Sequence, residues 1–138
     1  MVYGIGCDLC SIARMAKSLL GPHGAVFARR VFGPAEQAAL GLPLAEEEGT
    51  ARRTAHTVAS AAADFAAKEA FLKAAGTGLR EPFSLCEIEA VRLPGGAPAY
   101  RFSGQSAQWV EARRLRAHLS LSHEDGMAMA YCILETET

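Results

Sequence analysis

Two carboxylates stand out by where they fall. Asp8 lies near the end of an apolar run made by Val2, Tyr3, Ile5, Cys7 and Leu9. A charged group there is costly unless it is paired or bound to a cation. Glu69 lies in the alanine-rich run Phe65-Ala66-Ala67-Lys68-Glu69-Ala70-Phe71-Leu72-Lys73, four residues before Lys73 and so on the same helical face. His123 closes the run Ser120-Leu121-Ser122-His123 ahead of a turn. Two acids, lysines and a histidine suit a magnesium–diphosphate site, with hard carboxylate oxygens on the metal and cations on the phosphates. Each residue also has a plain structural reading: a strand-end cap, an i,i+4 helix pair, a surface histidine. Cys7-Asp8-Leu9-Cys10 has the spacing of a redox or zinc half-site. No second such pair follows, and residues three apart in an extended strand point to opposite faces, which disfavours joint ligation.

The elements that must hold these residues follow from pattern. Residues 2–9 read as a buried strand whose glycines signal a close approach to its backbone. Ser11 caps a short helix carrying Ile12, Met15, Leu19 and Leu20 and closed by Gly21-Pro22. Phe27 to Phe32 is apolar and basic, and Pro34 starts a further helix with Glu36 in its first turn. Residues 41–50, with the acidic run Glu46-Glu47-Glu48, read as a surface loop. From Ala55 to Ala75 no Gly or Pro interrupts an alanine-rich stretch, which predicts a long helix. Phe65 and Leu72 should pack, while Lys68, Glu69 and Lys73 project elsewhere. Gly76-Thr77-Gly78 should end this helix.

Beyond it, Phe83 to Leu93 alternates as a strand, Pro94 to Pro98 is a hairpin connection, and Ala99 to Phe102 is the return strand. Ser103 or Gly104 opens a helix with Trp109, Val110 and Leu115. Strands His118–Ser122 and Met127–Leu134 follow, joined by Glu124-Asp125-Gly126. Short turns between strands favour an antiparallel α+β domain over a doubly wound sheet. The expectation is a small antiparallel sheet with one long helix and shorter helices, its glycine-containing strand central and the sheet completed by other subunits.

The 138 residues are expected to form one domain, 1–138. With 14 Lys+Arg against 15 Asp+Glu, the chain lacks the basic excess of a nucleic-acid binder. Met1 to Gly6 does not read as a secretory signal, and no window approaches the ~20 apolar residues of a membrane span. Four cysteines in no dense framework fit free thiols in a reducing compartment. The expected setting is cytoplasmic, without nucleic acid or membrane.

Taken together, Gly4-Ile5-Gly6-Cys7-Asp8, Arg14, Phe65-Ala66-Ala67-Lys68-Glu69-Ala70-Phe71-Leu72-Lys73-Ala74, Gly76-Thr77-Gly78 and His118-Leu119-Ser120-Leu121-Ser122-His123 resemble the holo-acyl-carrier-protein synthases. These are the short 4′-phosphopantetheinyl transferases, and the similarity runs from residue 2 to about 135, weakest at 33–60. The resemblance implies the 4′-phosphopantetheinyl transferase fold and a homotrimer with active sites between subunits. It implies transfer of phosphopantetheine from coenzyme A to a serine of apo-acyl carrier protein, in support of fatty acid biosynthesis. By position, Asp8 and Glu69 match the Mg²⁺ carboxylates, Lys73 and Gly76 the coenzyme A contacts, and His123 the residue near the nucleotide. Arg14 and Arg30 match positive residues facing the acidic carrier. One departure is Asp64, where the family often has arginine. It reverses the local charge, leaves Arg80 as a candidate compensator, and supports an alternative reading as a non-catalytic coenzyme A or nucleotide-binding homologue.

Overall fold

A computed structural model of the chain describes residues 1–44 and 51–137, with backbone alone at 51–53. The acidic run Glu46-Glu47-Glu48 lies outside the described residues. The chain opens with β1 (Val2–Ser11), followed by α1 (Ile12–Leu20), α2 (Gly24–Val31), α3 (Pro34–Leu40) and the long α4 (Ala51–Ala75). Then come β2 (Ile88–Arg92), β3 (Pro98–Phe102), α5 (Gly104–Ala112), β4 (Leu115–Glu124) and β5 (Met127–Thr136). All strand pairings are antiparallel, as expected of an α+β domain.

The expected single sheet is divided. β1, β5 and β4 form one sheet in that order, and the β2–β3 hairpin forms a second. The glycine-bearing β1 is therefore an edge strand, and β5 is the central one. The strand expected from Phe83 begins only at Ile88, because Leu85–Glu87 is a 3₁₀ turn. That turn brings the Glu87 carboxylate onto the N–H of Ser106 at 3.2 Å, at the start of α5. Leu115 belongs to β4 rather than to the preceding helix.

Local signals explain most boundaries. The Ser11 hydroxyl accepts a hydrogen bond from the Arg14 N–H at 3.2 Å and caps α1. Gly76, at φ +79°, ends α4, and the amides of Gly76, Thr77 and Gly78 converge on the Leu72 carbonyl. Asp125 and Gly126, both at positive φ, make the tight turn between β4 and β5.

α4 lies across the inner face of the three-stranded sheet, and two glycines set how closely. A methyl group on Gly4 would stand 1.8 Å from the Ala74 carbonyl oxygen, and one on Gly6 would stand 1.8 Å from that of Ala70. Backbone therefore meets backbone, which only glycine on the strand and alanine on the helix allow. Beside this contact Phe71 anchors an aromatic cluster, with ring centroids 5.5 Å from Phe83, 4.9 Å from Phe102 and 6.4 Å from Trp109.

Lys68 does not project from the core as its sequence position suggested; it is completely buried. Its Nζ pairs with the equally buried Glu36 carboxylate and donates to the carbonyls of Ile88 at 2.6 Å and Leu85 at 3.0 Å. Glu36 in turn accepts from the N–H groups of Gly33 and Ala90. Burial pushes the Glu36 carboxyl up to about 7 and the Lys68 ammonium down, each opposed by the attraction between them. The cluster joins α3, α4 and β2 across a chain separation that no periodicity reveals.

Candidate active site

The close contact of α4 on β1 brings three of the sequence-selected residues together. Lys73 Nζ lies 2.9 Å from Asp8 Oδ1 and donates a second hydrogen bond, also 2.9 Å, to the Cys7 carbonyl. Glu69, one helical turn before Lys73, shares the same space. Burial and the negative charge of Asp8 hold its carboxyl above the usual range, and Lys73 opposes them. The hydrogen bond and charge of Asp8 raise the Lys73 ammonium. Asp8 and Glu69 are thus two partly sheltered carboxylates near enough for the charge of Asp8 to raise the Glu69 carboxyl, with Lys73 beside them, a donor set that could hold a small hard cation.

The donor set fits magnesium, which takes one or two carboxylates and fills its remaining positions with water and substrate phosphate. No group of three or more His, Cys, Asp or Glu that could hold a metal occurs among the described residues. A structural zinc site, which wants four such ligands, is thus not formed here. Cys7 and Cys10 belong to opposite faces of β1, as expected: Cys7 pairs across to exposed Tyr131 and Cys10 to buried Ala128. All four cysteines are free thiols.

The remaining selected residues are distributed around this cluster. Gly76 sits just past Lys73; its N–H is spent on the carbonyls of Leu72 and Lys73. That N–H is therefore not free to donate to a ligand, and a methyl group at Gly76 would meet nothing within 4 Å. Arg14, exposed on α1, opens onto a hollow of about 280 Å³ with Leu9, Cys10, Met15, Phe27 and Phe65. Arg30 is exposed in the last turn of α2.

His123 is not part of the cluster within this chain. Asp8 is carried by β1 and His123 by β4, the two outer strands of the sheet. His123 lines a separate cleft of about 330 Å³ with His56, Ser60, Ala63, Arg92 and Gly96. Ser60 and Glu69 are nine residues apart, two and a half turns of helix, so they project from opposite sides of α4.

Asp64 does not act as a free acid. Burial pushes its carboxyl up to about 6, while Arg92 pulls it down through an ion pair of 3.0 Å. The charge reversal expected there is thus taken up by Arg92 on β2. Arg80 is exposed, and the guanidinium that meets the Asp64 carboxylate is that of Arg92. Sequence reasoning missed His56 and Arg92. His56 and Ser60, four apart on one helical face, were a legible signal; the pairing of residues 64 and 92 was not.

A model of the 4′-phosphopantetheinyl transferase superfamily matches residues 4–132. The chain belongs to this family. It is 39% identical over 137 residues to the holo-[acyl-carrier-protein] synthase of Leptothrix cholodnii, covering 99% of this chain and 98% of that protein. It is 40% identical to the synthase of Bordetella pertussis over 97% of this chain and 83% of that one. Among solved structures, the synthase of Neisseria meningitidis superposes with a TM-score of 0.80 at 31% identity, over 99% of this chain and 100% of the other. The Bacillus anthracis synthase, solved in complex with CoA (3′,5′-ADP), gives 0.74 at 30% identity over 99% of both chains.

Proposed function

We propose that this chain is a holo-[acyl-carrier-protein] synthase, acting as one domain. In this reading it transfers 4′-phosphopantetheine from coenzyme A to a serine of an apo-acyl carrier protein, in the cytoplasm and in support of fatty acid biosynthesis. The observation that carries the reading is the cluster of Asp8, Glu69 and Lys73, assembled by the glycine-on-alanine contact of β1 with α4. The family membership and the coenzyme A complexes of related synthases support it.

In the reaction the serine Oγ–phosphorus bond forms, the phosphorus–oxygen bond within the diphosphate breaks, adenosine 3′,5′-bisphosphate leaves, and the serine proton is released. Asp8 and Glu69 would hold Mg²⁺, which when bound supplies charge neutralisation at the reacting phosphate. Lys73 would balance negative charge building on the diphosphate oxygens. Arg14 and Arg30 would meet the acidic carrier, and Arg14 rims the apolar hollow beside Leu9 and Cys10. Gly76 leaves room for the donor beyond Lys73.

A homotrimer with sites between copies fits two observations. The outer face of the three-stranded sheet exposes Ile5, Leu9, Met127, Met129 and Tyr131, an apolar area of the kind that association covers. The carboxylate cluster and the cleft holding His123 lie on opposite flanks of α4, so a neighbouring copy is needed to face one with the other.

Intact mass of an apo-acyl carrier protein after incubation with this protein, coenzyme A and Mg²⁺ tests the reading. The carrier should gain one phosphopantetheine, and the gain should vanish with EDTA or with Asp8→Ala. No gain with several carriers would defeat it and favour a coenzyme A-binding protein without turnover.

A further inference from the structure

Lys73 is already committed to β1. Its Nζ donates at 2.9 Å to Asp8 Oδ1 and at 2.9 Å to the Cys7 carbonyl, so two of its three donors are in use. The Asp8 side chain is 20% exposed and that of Lys73 56% exposed. The carboxylate is therefore the sheltered partner. The lysine, on a flexible four-carbon stem, is the one able to move. Lys73 also opposes the burial and the Asp8 charge that raise the Glu69 carboxyl. One ammonium thus serves both acids as their counter-ion.

The same oxygen cannot serve a lysine and a divalent cation equally well. A metal ligand must offer its oxygen to the ion. An ammonium 2.9 Å from Asp8 Oδ1 engages that oxygen and repels an incoming cation. Drawing Lys73 away takes a competing anion. The donor in the transfer reaction carries a diphosphate, whose oxygens offer the ammonium that alternative. We propose that Lys73 is a counter-ion gate on the carboxylate pair: it holds Asp8 while no donor is bound and moves to the diphosphate when one arrives, so that metal and donor load cooperatively. This inference rests on the phosphopantetheine-transfer reading above. In both arrangements a cation faces the acids, Lys73 in the first and the metal in the second. By linkage, the factor by which the donor tightens metal binding equals the factor by which the metal tightens donor binding.

Free Mn²⁺, counted by its electron paramagnetic resonance signal, reads the metal affinity without turnover; like Mg²⁺, it takes oxygen ligands. Mn²⁺ is titrated into the wild-type protein, Lys73→Met and Lys73→Arg, each with and without coenzyme A and with no carrier present. Asp8→Ala with coenzyme A gives the background from Mn²⁺ held by the donor alone. Without donor, Lys73→Met should bind Mn²⁺ about 5- to 10-fold more tightly than the wild type, between the worth of an exposed ion pair and that of a hydrogen bond to a charged group. With coenzyme A the two proteins should differ little, so the donor's enhancement of metal binding should shrink by the same factor. Lys73→Arg keeps the charge and presents a fork that fits a carboxylate. Its donor-free affinity should stay near that of the wild type.

Loss of a positive charge would by itself tighten metal binding equally with and without donor. That pattern, with the enhancement intact, would overturn the gate. So would an unchanged donor-free affinity in Lys73→Met, or a Lys73→Arg protein that binds Mn²⁺ as tightly as Lys73→Met does. Carrier modification by the wild type, with an enhancement indifferent to Lys73, defeats this inference alone. A Lys73-dependent enhancement without any carrier modification defeats the reaction instead.

Discussion

Replacing Gly6 by alanine probes the contact on which the whole site depends. The added methyl carbon would sit 1.8 Å from the Ala70 carbonyl oxygen and 2.8 Å from the Ala74 nitrogen. Both are backbone atoms of α4, so neither can swing aside as a side-chain tip would. Restoring ordinary contact requires α4 to retreat from β1 by about 1.5 Å. Overpacking of this kind costs about 1–3 kcal/mol, and the rigid partners put Gly6→Ala at the upper end. The retreat also moves Glu69 and Lys73, which flank Ala70 in sequence, away from Asp8. A 1 Å misplacement of reacting groups can cost about 100-fold in rate. Urea unfolding read by far-UV circular dichroism gives the first quantity, and the rate of carrier modification at saturating coenzyme A gives the second. Gly95→Ala is the control, since a methyl group there meets nothing within 4 Å, and it should leave both unchanged. A Gly6→Ala protein with wild-type midpoint and wild-type kcat would refute the claim that this contact assembles the site.

Other expectations follow from particular contacts. Lys68→Met leaves Glu36 buried without its counter-charge and should cost about 3–5 kcal/mol in denaturant unfolding; a loss under about 1 kcal/mol would show the pair to be dispensable. The Glu69 carboxyl binds its proton more tightly folded than unfolded. Its contribution to stability is therefore present below the ordinary carboxylate range and is lost as pH rises through its folded value. A carbon-13 titration of Glu69 should show that raised midpoint fall on adding Mg²⁺, and a midpoint indifferent to millimolar Mg²⁺ would count against Glu69 as a ligand. Arg14→Glu should raise KM for the carrier at least several-fold at low salt, with the difference shrinking as salt is added; a kcat defect at unchanged KM would place Arg14 elsewhere.

Much of this architecture was legible because it is written locally. The uninterrupted alanines of α4, the Ser11 cap, the Gly76 stop and the Asp125-Gly126 turn each act within a few residues. The motifs around Asp8 and Glu69 were legible as a resemblance, and Gly4 and Gly6 announced that something lay close to β1. What escaped was long-range. A lysine in a helix reads as solvated, and only Glu36, thirty-two residues earlier, makes Lys68 a core residue. Asp64 read as a reversed charge because its partner Arg92 is twenty-eight residues away. The start of β2 was misplaced because Leu85 has strand-like character, whereas the reach of Glu87 to α5 demands a tight turn. The division into two sheets depends on β3 finding no hydrogen-bonded partner in β4, which hydrophobic alternation cannot report.

Because α4 keeps the carboxylates on one flank and the His123 cleft on the other, damage to the two flanks should not be equivalent within an assembly. A protein inactivated by Asp8→Ala still offers an intact cleft, and one inactivated by His123→Ala still offers an intact carboxylate cluster. Dissociated and reassembled together in equal amounts, two inactive preparations should yield activity. In a closed ring of head-to-tail contacts, each junction draws one flank from either neighbour, so about a quarter of the junctions should be whole. On the proposed assembly, inactivity becomes a property of pairs of copies rather than of single chains.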